Sequence, residues 1–385
     1  MTENQTQPAR ETAAGVCQRG HGSRCGPARC GRPTRWAVYG LVAVFAAGAG
    51  WLLIGGASPS HATTPAPTPA AGDTGVQAVW PGAPQGFIPP PLHPQDVQLE
   101  TRQLGDGVYA LLSNTAGVDN NGFVVGERGV LVIDAHISGA MARQIIDAVA
   151  RVTDKPILYL VNTNYHGDHT FGNYAFPSST TIIAHPQTLQ RMKRFEHEKQ
   201  FMLPTVNGDR SVYSDVELRL PDVVFDDYMR IDLGGRVVEL YHFGAGNTPG
   251  DVVVYQPDAK VAWTGNLIVG AGTIPPMFEY GAATHLATVS RLRAALDIKT
   301  IVPGHGAMTD ASILTRYVAY SSDLIGTVRG AIREGRTIDD VLAAHPLDER
   351  YLPPADSQMA PLIDFLKGLH RMNLVQTFGE ESASR

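Results

Sequence analysis

Two histidines and an aspartate lie within four residues of one another in the stretch VNTNYHGDHTFGN, residues 161–173. His166, Asp168 and His169 offer imidazole and carboxylate groups, which are donors that zinc accepts in proteins. The stretch follows an apolar run and is rich in glycine and asparagine, which indicates a loop at a strand end, where functional sites are commonly built. Gly167 permits the sharp turn that adjacent Asp168 and His169 need to face one centre. The pattern predicts a metal site.

Two later stretches also place polar residues at predicted strand ends. GAGNTPGDVVVYQPDAKVAWTGN (244–266) contains Asn247 and Asn266, and IVPGHG (301–306) contains His305 between two glycines. Glycines on both sides of His305 allow its backbone to approach another group closely. These residues can act with the first stretch only if the fold brings distant strand ends together.

The elements that must position these residues alternate between strands and helices. Runs rich in apolar and β-branched residues predict strands at 108–113, 122–135, 157–162, 180–185, 236–243, 251–257, 261–266 and 300–304. Helical periodicity predicts helices at 138–152, capped by Ser138, at 186–201 and at 283–296, with mostly helical structure over 310–380. The charged part of the second helix, RFEHEKQ (194–200), is expected to be solvated. Two strand-rich halves, each edged by helices, predict a layered α/β sandwich.

The four motifs NYHGDH, GNTPGD, TGN and PGHG, in this order, resemble those of the metallo-β-lactamase superfamily. The resemblance covers about residues 96–310 and depends on the whole series, since a single Asp-His pair is a weak signal. It implies a four-layer αββα sandwich, here with a C-terminal helical extension, and metal bound at the strand ends between the two sheets. It does not identify a substrate, because this fold serves many chemistries.

The resemblance also implies an altered set of metal ligands. The family's first motif is His-x-His-x-Asp-His, and its first histidine is replaced here by Asn164. The family's next histidine is Asn247 here, and its bridging aspartate is Asn266. Of the three imidazoles that hold one metal of the usual pair, only His166 remains.

The ligands that the resemblance assigns to the second metal, Asp168, His169 and His305, are all present. Two divalent ions about 3.5–4 Å apart repel each other unless anions bridge them, and Asn266 offers only a neutral amide. We therefore expect a single ion held by Asp168, His169 and His305. Zinc is favoured, and iron is possible because two histidines and a carboxylate also form the iron site of some oxygenases.

Other residues around this centre have expected supporting roles. His166, freed from metal binding, could act as a general base for the attacking water. Asn164 and Asn247 could position that water or donate hydrogen bonds to the developing oxyanion. Asn266 is expected to be a plain hydrogen-bonding group. Asp134 matches a family position that usually supports the ligands, although it could equally be a turn residue after its strand.

The main functional hypothesis is a metal-dependent hydrolase acting on a small-molecule substrate. One alternative is a mononuclear iron oxidoreductase, and another is a non-catalytic descendant of the fold that only binds a ligand. Nucleic acid is not an expected partner, because the chain after residue 62 has a net charge of −10 and no basic cluster lies near the motifs. All three cysteines lie before residue 31, so thiolate ligands and disulfides are excluded from the rest of the chain.

The N-terminal part predicts export. Residues 1–35 form a basic tail, and residues 36–57, WAVYGLVAVFAAGAGWLLIGGA, are uncharged and long enough to span a bilayer or serve as a signal segment. Ala62 ends a possible cleavage site, so the protein is expected to be either anchored in a membrane or secreted. Residues 58–95 are proline-rich and predict a linker, 96–310 the sandwich domain, and 311–385 the helical extension.

Overall fold

A computed structural model describes residues 80–384 apart from 81, 86, 94, 95 and 358. The predicted tail (1–35), the apolar segment (36–57) and most of the predicted linker lie outside the described residues. Within the described part of the chain, every helix is too short or too polar to cross a bilayer. The domain boundaries given above stay predictions.

Twelve strands form two sheets in the described residues. The first sheet has seven strands in chain order: β1 (Leu99–Gly105), β2 (Val108–Ser113), β3 (Asn121–Val125), β4 (Val130–Ile133), β5 (Ile157–Val161), β6 (Thr181–Ala184) and β7 (Val223–Val224). The second has five, in the order β12-β11-β10-β9-β8: β8 (Tyr228–Asp232), β9 (Val237–Tyr241), β10 (Val253–Gln256), β11 (Val261–Trp263) and β12 (Thr300–Val302). β4 to β7 pair in parallel, and so do β11 and β12; the other pairs are antiparallel.

Eight α-helices accompany these sheets in the described residues. They are α1 (Gly139–Val152), α2 (Gly167–Thr170), α3 (Pro186–Met192), α4 (Phe195–Met202), α5 (Ala282–Ala295), α6 (Ser312–Arg333), α7 (Ile338–Ala344) and α8 (Ile363–Ala383). The long helix predicted over 186–201 is therefore two helices, with a break at residues 193 and 194. The cap predicted for α1 is confirmed, since the Ser138 hydroxyl accepts a hydrogen bond from the N–H of Met141.

Strand β4 shows how the layers are held together. Its side chains alternate in direction, as they must in a strand. Leu131 and Ile133 pack between the two sheets with Trp263, whereas Val130 and Val132 pack outward in the cluster that contains α1. A strand buried on both faces reads as a continuous apolar run, as VLVI does.

The second sheet is covered in the same way. Val254 of β10 points between the sheets, and Val253 packs outward with Val289 of α5 and Tyr317 of α6. Helices α6, α7 and α8 contribute to a further apolar cluster at the C-terminal end of the chain. The layer order is helices, sheet, sheet, helices, which confirms the predicted αββα sandwich with a helical extension.

The described chain includes residues that precede the expected start of the folded domain at Asp96. Trp80 is buried, and its indole N–H donates to the carbonyl of Phe201 at 3.0 Å. Its ring stacks on that of Phe201, with centroids 5.3 Å apart. This aromatic packing places residues near 80 against α4, close to the centre described below.

Gly172 is a position where the fold has no room for a side chain. It follows α2, and its N–H donates to the carbonyl of His136 at 2.9 Å. A Cβ there would lie 2.0 Å from the carbonyl oxygen of Ala135, so the backbone would have to shift. We expect Gly172→Ala to lower the free energy of unfolding by at least about 2 kcal/mol, measured by urea denaturation.

The matched control is the same change in an open helical position. Nothing lies within 4 Å of a Cβ built on Gly326 of α6. Gly326→Ala should therefore raise the free energy of unfolding by about 0.5–1 kcal/mol through helix propensity. Equal effects of the two changes would mean that the backbone approach at Gly172 is not as described.

Candidate metal centre

The predicted site residues lie in loops at one edge of the two sheets. Asp134 follows β4, residues 164–169 follow β5, Asn266 follows β11 and His305 follows β12. The loop between β2 and β3 also reaches this edge, and it brings Asp119, which the sequence did not single out. Because these loops come from both sheets, the sandwich itself assembles the centre.

The loop after β5 turns sharply into the one-turn helix α2. The side-chain oxygen of Asn164 accepts a hydrogen bond from the N–H of His166 at 2.8 Å. His166 precedes α2, and Asp168 and His169 lie within it. The turn therefore directs His166 to one side and the pair Asp168 and His169 to the other. The side chain of Asn164 thus shapes the loop.

Four side chains converge on one point. Asp119, Asp168, His169 and His305 each offer one ligand atom, and these atoms all lie within 4.8 Å of one another. Nε2 of His305 is 3.3 Å from Oδ2 of Asp168 and 3.5 Å from Oδ1 of Asp119. Nε2 of His169 is 3.7 Å from each of the same two carboxylate oxygens. The three predicted ligands come together, and Asp119 joins them as a fourth.

The unpaired atoms of this group fit a bound cation. Both carboxylate oxygens of Asp119 and Oδ1 of Asp168 are buried without a hydrogen-bond donor. Buried carboxylates without donors are costly unless a positive charge compensates them. Two carboxylates and two imidazoles are together a suitable donor set for a divalent metal.

The pKa shifts of Asp119 and Asp168 also fit a bound cation. Burial, followed by the neighbouring Asp168 carboxylate, raises the pKa of Asp119 well above its usual range. Burial also opposes ionisation of Asp168, but the charges of His169 and His305 outweigh it and lower the pKa of Asp168. A divalent ion between the two carboxylates would allow both to be ionised.

His169 is oriented by a carboxylate behind it. Its Nδ1 lies 2.9 Å from Oδ2 of Asp134, so Nε2 faces the centre. Asp134 in turn accepts hydrogen bonds from the N–H and the hydroxyl of Thr163, both at 2.7 Å. Burial alone lowers the pKa of His169, but Asp134 and Asp168 outweigh it and raise that pKa to about 10. Carboxylate–histidine pairs of this kind orient metal-ligating imidazoles.

The backbone contributes to the same arrangement. Asp134 has φ of 59°, a left-handed conformation that is uncommon outside glycine and often found at functional sites. His305 is held similarly to His169, because its Nδ1 lies 2.9 Å from the carbonyl oxygen of Gly117. Asn266 touches the group from the side, with its Oδ1 3.0 Å from Nε2 of His169.

His166 forms a second pair outside the four-ligand group. Its Nδ1 lies 3.0 Å from Oε1 of Glu198 on α4, and the same oxygen accepts the N–H of Gly167 at 3.1 Å. Nε2 of His166 is buried and has no partner. Burial lowers the pKa of His166, but the Glu198 carboxylate outweighs it and the net shift is upward. Glu198 is buried and His197 beside it is exposed, so the expectation of a solvated RFEHEKQ stretch is confirmed at His197 and wrong at Glu198.

Asn164 and Asn247, which replace two histidine ligands of the family, also have unpaired polar atoms. Nδ2 of Asn164 and Oδ1 of Asn247 are buried without a hydrogen-bond partner. The other end of the Asn247 amide donates to the carbonyl of Pro276 at 3.1 Å. Asn164, Asn247 and His166 thus each present one unpaired polar atom.

An apolar cavity opens beside the centre. It is partly open to solvent, and His166, Asp168, Asn266 and His305 contribute to its wall. Most of the remaining wall is apolar and comes from residues 80, 89, 90 and 92, the end of α4, the loop before α5, and the start of α8. Among the described lining residues there is no lysine or arginine.

Sequence reasoning missed Asp119 and Glu198. Asp119 lies in the polar run GVDNNG between two strands, which is compatible with a site residue but equally with a plain turn. Glu198 lies in a charged helical stretch whose pattern indicated solvent. In both cases the signal lay in long-range contacts, such as the isolated β-bridge between Asp119 and His305.

The chain is similar to several known proteins. The sequence model of the metallo-beta-lactamase superfamily matches residues 114–305. The chain is 22% identical over 223 residues to acyl-coenzyme A thioesterase MBLAC2 of Bos taurus, covering 53% of this chain and 80% of the relative. It is also 22% identical over 209 residues to metallo-beta-lactamase type 2 of Bacillus sp. (strain 170), covering 52% and 72%. A solved metallo-beta-lactamase from Pontibacter korlensis superposes with a TM-score of 0.49 at 20% identity, covering 58% of this chain and 99% of the other.

Proposed function

Because the chain belongs to the metallo-β-lactamase superfamily, we propose that it is a metal-dependent hydrolase that cleaves an ester or thioester with the help of one divalent ion. The observation that carries the proposal is the group of ligand atoms from Asp119, Asp168, His169 and His305, within 4.8 Å of one another. His166, whose Nε2 is buried and unpaired, contributes to the wall of the cavity beside this group. Zinc is the ion we favour, with iron as the alternative.

The four ligands would hold the ion and match its charge. Asp119 and Asp168 supply two negative charges, and the imidazoles of His169 and His305 complete the donor set. Such an ion supplies Lewis-acid polarisation of a substrate carbonyl and an acidified water. Asp134 keeps His169 in the tautomer that presents a lone pair at Nε2, because its carboxylate accepts a hydrogen bond from the N–H at Nδ1.

The pair of His166 and Glu198 would move the proton. Glu198 accepts a hydrogen bond from Nδ1 of His166, which leaves Nε2 free to take a proton from the attacking water. The hydroxyl of that water adds to the carbonyl carbon, and the bond to the alcohol or thiol breaks. His166 then returns the proton to the departing oxygen or sulfur, which regenerates the neutral imidazole.

The unpaired amide atoms of Asn164 and Asn247 could interact with the substrate carbonyl and the attacking water. Nδ2 of Asn164 is a buried donor that could stabilise the developing negative charge on the carbonyl oxygen. Oδ1 of Asn247 is a buried acceptor that could orient the water. Asn266, in contact with His169, would limit the freedom of that ring.

The choice of an acyl bond draws on the comparisons and on the cavity. The bovine relative is named an acyl-coenzyme A thioesterase, and acyl hydrolysis is the reaction we carry over from it. A β-lactam antibiotic carries a carboxylate, and the described wall of the cavity offers no lysine or arginine to pair with it. An uncharged acyl group suits this wall better.

Export of this activity is part of the proposal. The apolar segment 36–57 follows six arginines, which supports translocation of the rest of the chain. The partners would be a small-molecule substrate and, if the segment is retained, a membrane. Fractionation of cells that express the full chain would test this, and recovery in the soluble cytoplasm would contradict it.

Removal and return of the metal tests the catalytic proposal. Full-length protein is treated with a chelator until elemental analysis finds no transition metal, and hydrolysis of p-nitrophenyl butyrate is followed. We expect kcat/KM to fall at least about a hundredfold and to be restored by one equivalent of zinc. Full activity of the metal-free protein would overturn the proposal, as would restoration by iron together with oxygen consumption.

A further inference from the structure

The wall of the cavity beside the centre has a polar part and an apolar part. Asp168 and His305 belong to the polar part, and Phe365 and Leu369 of α8 belong to the apolar part. A substrate that fills this space must place its reacting polar group beside the polar residues and an apolar group against the rest of the wall.

A series of packed aromatic rings leads from His166 to α8. The imidazole of His166 stacks on Phe201, with centroids 5.1 Å apart. Phe201 stacks on Trp80 at 5.3 Å, and Trp80 contacts Phe87 at 5.8 Å. Phe87 then stacks on Phe365 at 5.5 Å. Three of these rings, those of Trp80, Phe201 and Phe365, line the cavity and make its wall apolar as far as α8.

Charge narrows the class of group that this surface can accept. The described lining residues include one carboxylate, that of Asp168, and no lysine or arginine. An anionic or sugar-like group would be desolvated there without partners, which is costly. A hydrocarbon chain loses nothing by leaving water, and it gains about 0.8 kcal/mol per buried methylene.

We propose that the substrate is an ester or thioester of a linear, uncharged acyl chain, whose carbonyl lies at the centre and whose end lies against α8. Water supplies the hydroxyl to the acyl carbon, the carbon–oxygen or carbon–sulfur bond breaks, and the alcohol or thiol leaves with the proton. This inference rests on the proposed function for its reaction, but the binding of the chain can be measured without it.

A series of p-nitrophenyl esters from acetate to dodecanoate, each below its micelle concentration, tests the chain on full-length protein. We expect kcat/KM to rise about two- to fourfold per methylene until the cavity is filled. Phe365→Trp narrows the cavity at α8 and should lower the ratio of kcat/KM for decanoate to kcat/KM for acetate at least about tenfold. Equal kcat/KM across the series would overturn the inference and leave the hydrolase intact.

A control variant and a binding measurement distinguish failure of the acyl-binding cavity from failure of the proposed hydrolase function. Phe378→Trp makes the same change at a half-buried position of α8 that is not among the described lining residues of the cavity, and it should leave the series unchanged. Decanamide, a neutral analogue, should bind metal-free protein at least about tenfold more tightly than hexanamide by calorimetry. If the amides bind in this way but no ester is hydrolysed, the proposed hydrolase function is contradicted and the acyl-binding cavity is supported. Equal binding of both amides would contradict the acyl-binding cavity.

Discussion

Asp119→Asn is expected to weaken metal binding and to lower kcat/KM by at least about a hundredfold each. Loss of a residue that only supports a ligand typically costs 10- to 100-fold, so loss of a ligand should cost no less. The asparagine keeps the shape of the side chain but removes one of two charges that balance the ion. Metal affinity is measured by competition with a chromophoric chelator, and kcat/KM with p-nitrophenyl butyrate.

The stability of the metal-free protein should change in the opposite direction. Both oxygens of Asp119 are buried without a donor, and Asp168 is beside them, so the ionised carboxylate destabilises the folded state until a cation is present. Metal-free Asp119→Asn should therefore unfold at an equal or higher temperature than metal-free wild type. Asp106→Asn, at an exposed carboxylate between β1 and β2, should leave metal affinity and activity unchanged. Normal metal affinity in Asp119→Asn would remove Asp119 from the ligand set.

His166→Gln is expected to lower kcat/KM by about 10²- to 10⁴-fold, the usual contribution of a general acid–base group, while the metal content stays the same. The structure gives His166 a role separate from the ligands, because Glu198 holds one ring nitrogen and the other is unpaired in the cavity wall. Activity against p-nitrophenyl butyrate and elemental analysis of the same sample provide the two measurements.

Glu198→Gln serves as the graded comparison for His166. Its amide can still accept the hydrogen bond from His166 but lacks the charge, so we expect a smaller loss of about 10- to 100-fold. If His166→Gln lost its metal together with its activity, His166 would be a ligand, and the separation of roles would be wrong.

Much of the fold followed from local patterns. The strands predicted at 108–113 and 157–162 match β2 and β5 to within a residue, and Ser138 caps α1 as expected. Periodicity, caps and apolar runs are properties of neighbouring residues, so the sequence displays them directly. The break between α3 and α4 was missed, because residues 193 and 194 are a lysine and an arginine, which do not interrupt a helix by themselves.

The ligands of the centre could be predicted only where they lie within one of the four motifs. Asp168, His169 and His305 were expected together from the order of the motifs, and the structure brings them together. Asp119 depends on contacts across the sandwich: the side chain of its neighbour Asn120 donates to the carbonyls of Pro303 at 3.1 Å and Gly306 at 2.8 Å. Such pairings between residues over 180 positions apart leave no trace in local sequence.

Asp119 also changes the interpretation of Asn266. The resemblance suggested that the centre had lost a carboxylate at this position, leaving one carboxylate among the ligands. The structure places the Asp119 carboxylate within the ligand group and the Asn266 amide against His169. The ligand group therefore has two carboxylates again, the second one coming from the loop after β2. Two negative charges favour one divalent ion.

The number of ions per chain tests this account most directly. Full-length protein is equilibrated with excess zinc, freed of loosely bound metal on a desalting column, and measured by elemental analysis against protein concentration. We expect a value near one ion per chain, because four ligands converge on one point and the imidazole of His166 is hydrogen-bonded to Glu198. A value near two would show that Asn164, His166 and Asn247 still bind a metal, and a value near zero would show that the four side chains do not hold an ion.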